Sequence, residues 1–188
     1  MLGLWIVLGI IIVLVFIFIG VYNSLVRGRN EVKNSWAQID VQLKRRHDLI
    51  PNLVETVKGY KNFERETLEA VTKARNIAVQ AASAGGVGDR AKAEGELGAA
   101  LSRLLVTVEA YPELKANQNF LALQEELTST ENKISFSRQF YNDSVLKYNN
   151  QIHMIPSNIV ASIGGFRASE FFEVAVPAEK EPVKVSFS

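Results

Sequence analysis

The chain has 188 residues and a net charge of +1, which leaves room for one ordinary domain and an additional segment. It contains no cysteine, so a disulfide framework, a thiolate metal site and a cysteine nucleophile are all excluded. Its near-neutral charge lacks the strong positive field of a nucleic-acid-binding protein, and we expect no nucleic-acid partner.

Residues 2–21 form an apolar stretch without an ionisable side chain. As a helix, about 20 residues at about 1.5 Å each reach about 30 Å, which is the thickness of a bilayer core. A cleaved signal peptide would need a basic start, a shorter apolar core and a small-x-small cleavage site, and the stretch has none of these. The sequence therefore predicts a retained transmembrane anchor over residues 1–22, with the lipid bilayer as a partner.

Basic residues follow the predicted anchor directly. Arg27, Arg29 and Lys33 outweigh Glu31, whereas no charged side chain precedes the apolar stretch. The positive-inside rule then places the C-terminal bulk of the chain on the cytoplasmic side of the cell membrane. Residues 23–61 as a whole are basic, which suits an anionic inner leaflet.

Heptad spacing predicts that the first bundle helix ends near Tyr60. Its apolar side chains recur at steps of four and three along one seam: Val32, Trp36, Ile39, Leu43, Ile50, Leu53, Val57 and Tyr60. The heptad spacing continues unchanged after Pro51, so we expect a kink in the helix there rather than a turn. Asn62 is the predicted cap of the next helix.

Two shorter helices are predicted next. The first runs from about Phe63 to Ala82 and ends at a glycine-rich turn. Asp89 caps the second, which covers residues 90–111 and is closed by Pro112.

A second heptad series predicts a last helix of about 36 residues, as long as the first. The series consists of Phe120, Leu127, Ile134, Tyr141, Tyr148 and Ile155. Long, short, short and long helices fold naturally as an antiparallel up-down four-helix bundle over residues 23–155. Residues 156–188 have no helical period, only alternations such as Val183, Val185 and Phe187, which predict an irregular C-terminal tail with at most an edge strand. The predicted fold class is therefore all-α.

Arg46 alone interrupts the apolar seam of the first bundle helix, while Lys44 and Arg45 fall on outward positions. Since an unpaired buried charge is costly, we predict that Arg46 is at least half buried and paired with a carboxylate or a carbonyl.

No catalytic or metal site is predicted. His47 and Asp48 could be a general base and its orienting partner, but adjacent residues of a helix do not face each other. A di-metal site in a bundle needs a Glu three residues before each histidine, and neither His47 nor His153 has one.

No cofactor is predicted either. Gly86, Gly88 and Ala91 match G-x-G-x-x-A, but a dinucleotide site needs a preceding strand, and the preceding residues are helical in character. We interpret these glycines as an interhelical turn.

Two Tyr-Asn pairs lie one heptad apart in the last helix, Tyr141-Asn142 and Tyr148-Asn149. Buried phenols need hydrogen-bond partners, and we interpret these residues as a polar layer that fixes the register of the helices.

Several long segments together resemble the LemA family, over nearly the whole chain. They are YNSLVRGRNEV, WAQIDVQLKRRHDLIPNLVETVKGY, YPELKANQNFLALQEEL, TENKISFSRQFYN and PSNIVA, in this order. The resemblance implies a bacterial single-pass membrane protein with an antiparallel helical bundle, and no enzyme activity or cofactor is established for the family.

Two functional hypotheses follow. The first is a non-enzymatic, membrane-tethered scaffold that binds copies of itself or an unidentified envelope protein; outward apolar residues such as Phe136 and Phe140 favour homo-oligomers. The second is an unrecognised enzyme or an accessory subunit of a membrane enzyme complex. The missing cysteines and the isolated histidines argue against it.

The position of the tail also follows from the helix lengths. If the last helix returns to the level at which the first leaves the membrane, Pro156 lies near the bilayer surface. The apolar residues after it are too few to span the bilayer and are interrupted by Gly164 and Gly165. They are expected to dock on the base of the bundle or to lie in the membrane interface; alternatively, their phenylalanines cap the core.

Overall fold

The computed structural model describes residues 2–60 and 63–173, and its regular structure is entirely α-helical over this range. The predicted all-α fold class is therefore confirmed. The helices in the described part of the chain are α1 Leu2–Lys58, α2 Arg65–Ala84, α3 Val87–Val108, α4 Pro112–Lys115, α5 Gln118–His153 and α6 Ser157–Ile163.

Helix α1 joins the apolar stretch to the first bundle helix without a break. Its N-terminal part is long and apolar enough to cross a membrane, and none of that part is buried inside the protein. The helix also continues through Pro51, as the unbroken heptad pattern predicted, and ends two residues before Tyr60. An exposed apolar helix of this length fits membrane anchoring.

Most predicted helix limits agree with the structure to within a few residues, and α5 has the predicted length of 36 residues. Helix α3 starts earlier than predicted, at Val87, because extended Gly86 precedes it and Asp89 lies in its first turn. A carboxylate is favourable there because it faces the positive end of the helix. Pro112 begins α4, where its missing N–H costs nothing. The predicted cap Asn62 lies outside the described residues.

The start of the tail differs from the sequence prediction, because it contains α6. A helix of 7 residues is too short to show a periodic pattern in the sequence. It is held instead by the burial of Val160 and Ala161. The described residues after α6 are irregular, as predicted, and the alternation at Val183, Val185 and Phe187 lies outside the described residues.

The described residues form two units by their internal contacts. We call the first the anchor unit; it contains the described parts of Met1–Gln42 and Lys133–Phe171. We call the second the core unit; it contains the described parts of Leu43–Asn132 and Phe172–Ser188. Both long helices, α1 and α5, contribute a segment to each unit.

The core unit has one hydrophobic core to which all of its helical segments contribute. Side chains from α1, α2, α3, α4 and α5 meet there, together with Phe63 from the connection before α2. Its buried members include Ile50, Leu53, Val57, Leu68, Val71, Ala78, Ala93, Leu97, Leu104, Val108, Leu114, Phe120 and Leu127. Removing these apolar surfaces from water, at about 25 cal/mol per Å², is the main force that holds these helices together.

In the anchor unit, α1 and α5 run antiparallel, because rising residue numbers on α1 meet falling numbers on α5. The contacts that show this are Ser24 with Gln151 at 2.6 Å, Glu31 with Lys147 at 3.3 Å, and the rings of Trp36 and Tyr141 at 5.2 Å.

Candidate functional site

Arg46 lies at the centre of a buried ionic cluster in the core unit. Its side chain is 3% exposed, and its guanidinium donates to the carboxylates of Glu94 and Glu131, the latter over 2.6 Å. It also donates to the backbone carbonyl of Glu94 at 3.3 Å. The prediction of a buried, paired arginine is therefore confirmed.

His47 is the second partner of Glu94 in the cluster, and the sequence interpretation missed it. Its ring is buried, and Nε2 donates to Glu94 Oε1 at 2.8 Å. Its backbone carbonyl accepts a hydrogen bond of 2.9 Å from Arg75 Nε. The missed signal was the spacing: His47 follows Leu43 by four residues and precedes Ile50 by three, which places it on the apolar seam.

Glu94 is shared by Arg46 and His47, and this controls its charge. Burial by itself would raise the pKa of the carboxyl. The hydrogen bond from His47 and the charges of Arg46 and His47 outweigh burial, so the pKa of Glu94 is lowered from its ordinary value of 4.5. Glu94 is therefore a carboxylate at neutral pH, and its two oxygens are each engaged by a different partner.

The residues next to the cluster face solvent. Lys44 and Asp48 are exposed, and Arg45 donates to Glu126 from its Nε at 2.9 Å in an exposed pair. Outward positions for Lys44 and Arg45 were predicted from the seam and are confirmed. The carboxylate bonded to the imidazole of His47 is Glu94, whereas Asp48 faces solvent.

The geometry of the cluster is that of a structural ion network. Its inner groups are buried and hydrogen-bonded to one another, so they offer no approach to a substrate. Within the described ranges 2–60 and 63–173, no group of three His, Cys, Asp or Glu side chains could hold a metal ion. His153, the other histidine, is exposed at the end of α5.

The glycine-rich segment is a connection between two helices. Gly85 and Gly86 join α2 to α3, and Gly88 lies in the first turn of α3. A helix precedes the glycines where a dinucleotide site requires a strand. The interpretation as an interhelical turn is confirmed.

The core unit also has an open groove of about 860 Å³ along the end of α1 and one side of α2. Apolar and charged side chains alternate in its lining, among them Tyr60, Leu68 and Ile77. Its carboxylate Glu69 is paired with Arg65 at 2.7 Å. The groove therefore carries no pair of free carboxylates for acid–base chemistry among the residues that the structure describes.

A second polar site lies in the anchor unit, where α5 holds the segment after α6. The hydroxyl of Tyr141 donates to the backbone carbonyl of Glu170 at 2.8 Å. The amide of Asn149 makes two bonds of 2.9 Å to the backbone of Ser169, one to its N–H and one to its carbonyl. Burial and the charge of Glu170 raise the pKa of Tyr141, so the phenol keeps its proton as a donor. Tyr141 and Asn149 of the predicted polar layer thus bind the tail, a role different from the register of the helices that was predicted for the layer.

Phe166 fixes the same segment to α1. Its ring meets the ring of Tyr22 edge-on at 5.5 Å, and the guanidinium of Arg29 lies over it at 5.1 Å from the ring centre. Gly164 and Gly165 allow this approach, since Gly165 has a φ of 66° and a Cβ at Gly164 would lie 2.6 Å from the Phe166 ring. Phe166 and Phe172 are both buried, so these two phenylalanines contact protein, whereas Phe171 is 37% exposed.

Comparison with known proteins identifies the relatives of this fold. The model of the LemA family matches residues 35–187. The chain belongs to the LemA family. This match covers the whole ionic cluster, from Arg46 to Glu131, as well as the tail-binding residues Tyr141 and Asn149.

Individual relatives agree with this assignment. Protein LemA of Metamycoplasma hominis is 30% identical over 171 residues, covering 86% of this chain and 75% of the relative. Magnetosome protein MamQ 2 of Paramagnetospirillum magneticum and magnetosome protein MamQ of Magnetospirillum gryphiswaldense are each 25% identical over 185 residues. Those two matches cover 86% of this chain and 68% of the relative. The protein is thus a LemA-family helical protein whose apolar N-terminal helix fits membrane anchoring.

Proposed function

We propose that this LemA-family protein is a non-enzymatic scaffold at the bacterial cell envelope. One N-terminal helix anchors it in the cell membrane, with the bundle on the cytoplasmic side, and it assembles with copies of itself. An unidentified envelope protein is a further partner of the same kind. Arg27, Arg29 and Lys33 after the apolar stretch support this orientation by the positive-inside rule.

The observation that carries the proposal is an apolar face on α5. Phe136 is 73% exposed and Phe140 is 46% exposed. They lie four residues apart and therefore share one face of the helix. Two exposed phenylalanines on one face, outside the membrane-length stretch, are typical of a surface that another protein covers.

The charged groups support a scaffold over an enzyme. Arg46, His47 and Glu94 are buried, and Glu94 is hydrogen-bonded to both of the others, which is the arrangement of a cluster that stabilises a fold. The names of the relatives, Protein LemA and magnetosome protein MamQ, state no reaction.

The proposal is tested by replacing both phenylalanines with serine in the full chain, Phe136→Ser with Phe140→Ser. Because both side chains are exposed, the fold stays intact, and we expect the dissociation constant of the oligomer to rise by about tenfold or more. Light scattering of the detergent-solubilised protein over a wide concentration range measures this change.

Val106→Ser is the matched control, because Val106 in α3 is also 73% exposed. The control variant should assemble like the unaltered protein. If the unaltered protein is a monomer at every concentration, or if the double variant assembles equally well, the proposed self-assembly through α5 is wrong.

A further inference from the structure

The turn after α5 and the outer face of α6 expose four large apolar side chains. Met154 and Ile155 lie in the turn, and Ile159 and Ile163 lie one helical turn apart on α6. Ile155 is the most exposed of the four, at 82%. No ionisable side chain lies between His153 and Arg167. We call these four residues the α6 patch.

The contacts of the anchor unit place the α6 patch at the end of the apolar stretch of α1. Gln151 donates to Ser24 at 2.6 Å, and Ser24 follows the last residue of the stretch, Val21, by about 4.5 Å along the helix. Because α5 runs antiparallel to α1, the three residues from Gln151 to Met154 cover about the same distance back toward the stretch. The turn therefore lies level with the boundary of the apolar stretch.

The contacts of Phe166, which follows α6, also place α6 at the end of the apolar stretch of α1. The segment between Gln151 and Phe166 leaves α1 near Ser24 and returns to it at Tyr22 and Arg29. Val160 and Ala161 face the protein within that segment, whereas Ile159 and Ile163 face away from it. The inner face of α6 thus holds it beside α1, and its outer face is left apolar.

Charged residues beside the patch suit an anionic surface. Arg27, Arg29 and Arg167 are exposed, and Arg29 and Arg167 both lie beside Phe166 at the end of the apolar segment. An exposed apolar helix face with basic neighbours is typical of segments that lie in the headgroup layer of a membrane.

We propose that the α6 patch inserts into the interfacial layer of an anionic phospholipid membrane, as a second membrane contact beside the N-terminal helix. The occupant of the patch is the lipid of the bilayer in which α1 is anchored. This inference does not depend on the proposed assembly through Phe136 and Phe140.

The test uses the full chain, which has no cysteine, with one cysteine introduced by Ser162→Cys. Ser162 is exposed on α6 between two buried positions and the patch residue Ile163. The cysteine carries an environment-sensitive fluorophore, and the protein is reconstituted in vesicles of phosphatidylethanolamine and phosphatidylglycerol that contain spin-labelled lipids. A separate titration with iodide measures the access of water to the label.

Ser135→Cys is the matched control, because Ser135 is exposed on α5 in the same unit and lies about 24 Å along the helix from Gln151. We expect lipid-attached quenchers to reduce the emission at position 162 at least about twofold more than at position 135. Adding Ile159→Ser and Ile163→Ser should remove most of that difference, and circular dichroism should show unchanged helix content.

Three outcomes would overturn the proposal. Equal lipid quenching at positions 162 and 135 would show that α6 lies outside the membrane interface. A label at 162 that is shielded from iodide but not quenched by lipid would show that another protein copy covers the patch. Lipid quenching that survives both serine substitutions would show that the apolar patch is not what holds α6 there.

Discussion

Arg46 and Glu94 stay buried together because each removes the main cost of burying the other. A lone ion inside a protein loses several kcal/mol of hydration, and removal of one partner leaves that loss uncompensated. Here Arg46 is paired with two carboxylates, and Glu94 is bonded to both Arg46 and His47. The members of the cluster therefore depend on one another, and replacing any one of them should lower the free energy of unfolding.

Replacing Glu94 with glutamine should destabilise the protein by about 3 kcal/mol, because it leaves Arg46 and His47 buried beside a neutral amide. Urea unfolding followed by circular dichroism measures the change. Glu96→Gln is the control, because it makes the same chemical change two residues later at an exposed position. It should leave the urea concentration at the midpoint of unfolding nearly unaltered. Equal midpoints for the two variants would contradict a stabilising role for the cluster.

The stability of the unaltered protein and that of the Glu94→Gln variant should also depend differently on pH. The pKa of Glu94 is lowered in the folded state, so its contribution to stability is fully present above the unfolded value of 4.5 and is lost as the pH falls through the folded value. The stability gap between the unaltered protein and Glu94→Gln should therefore be constant near neutral pH and should narrow below about pH 4.5.

The sequence alone could predict that Arg46 is buried and paired, but it could not predict which carboxylates are its partners. One arginine on an otherwise apolar seam has to be buried, and a buried charge has to be paired, so both facts follow from helical spacing. Glu94 is 48 residues away from Arg46 in the chain, on another helix. It precedes Leu97 by three residues, so spacing can place it on the apolar face of α3 but cannot pair it with Arg46. Its position depends on how α1 and α3 pack in the core unit, which spacing within one helix does not determine.

Helix α5 holds the tail through side chains that bond to backbone atoms, so the sequence of the tail itself has little influence on these bonds. Asn149 acts as both donor and acceptor toward Ser169, and Tyr141 adds a donor toward Glu170. Each such bond stabilises the docked segment by about 1 kcal/mol. The docked state is thus held by a small number of specific bonds and by Phe166.

Asn149→Ala should loosen the docked segment without unfolding the bundle, because it removes both bonds to Ser169. We expect amide hydrogen exchange in residues 164–171 to become about thirtyfold faster, which corresponds to a loss of about 2 kcal/mol. Asn150→Ala is the control, since Asn150 is the exposed neighbour. Unchanged exchange in the Asn149 variant would show that Phe166 and Tyr141 hold the segment without Asn149.

The sequence predicted long helices well and α6 not at all. A helix of 36 residues shows its apolar face many times, so its period is clear and its limits are close to the observed ones. Helix α6 has two turns and apolar residues on both faces, inner Val160 and outer Ile159. Such a segment shows no amphipathic pattern in its sequence, and its helix is stabilised by the burial of Val160 and Ala161 against the rest of the protein.

For the molecule in its membrane, we expect the bundle on the cytoplasmic side. The test is a single cysteine introduced by Ser83→Cys at an exposed position of α2. A membrane-impermeant maleimide should label it only after the cells are permeabilised, and the unaltered chain, which has no cysteine, should stay unlabelled throughout. Labelling in intact cells would place the bundle on the outer side.

The antiparallel pairing of α1 with α5 also determines how the anchor unit carries a mechanical load. A pull along the axis of α1 tends to slide it past α5, so the hydrogen bond at Ser24, the ion pair at Glu31 and the ring contact at Trp36 have to break together. A pull across the two helices would break the same contacts one at a time. The anchor unit should therefore resist extraction of its helix lengthwise much better than it resists peeling from the side.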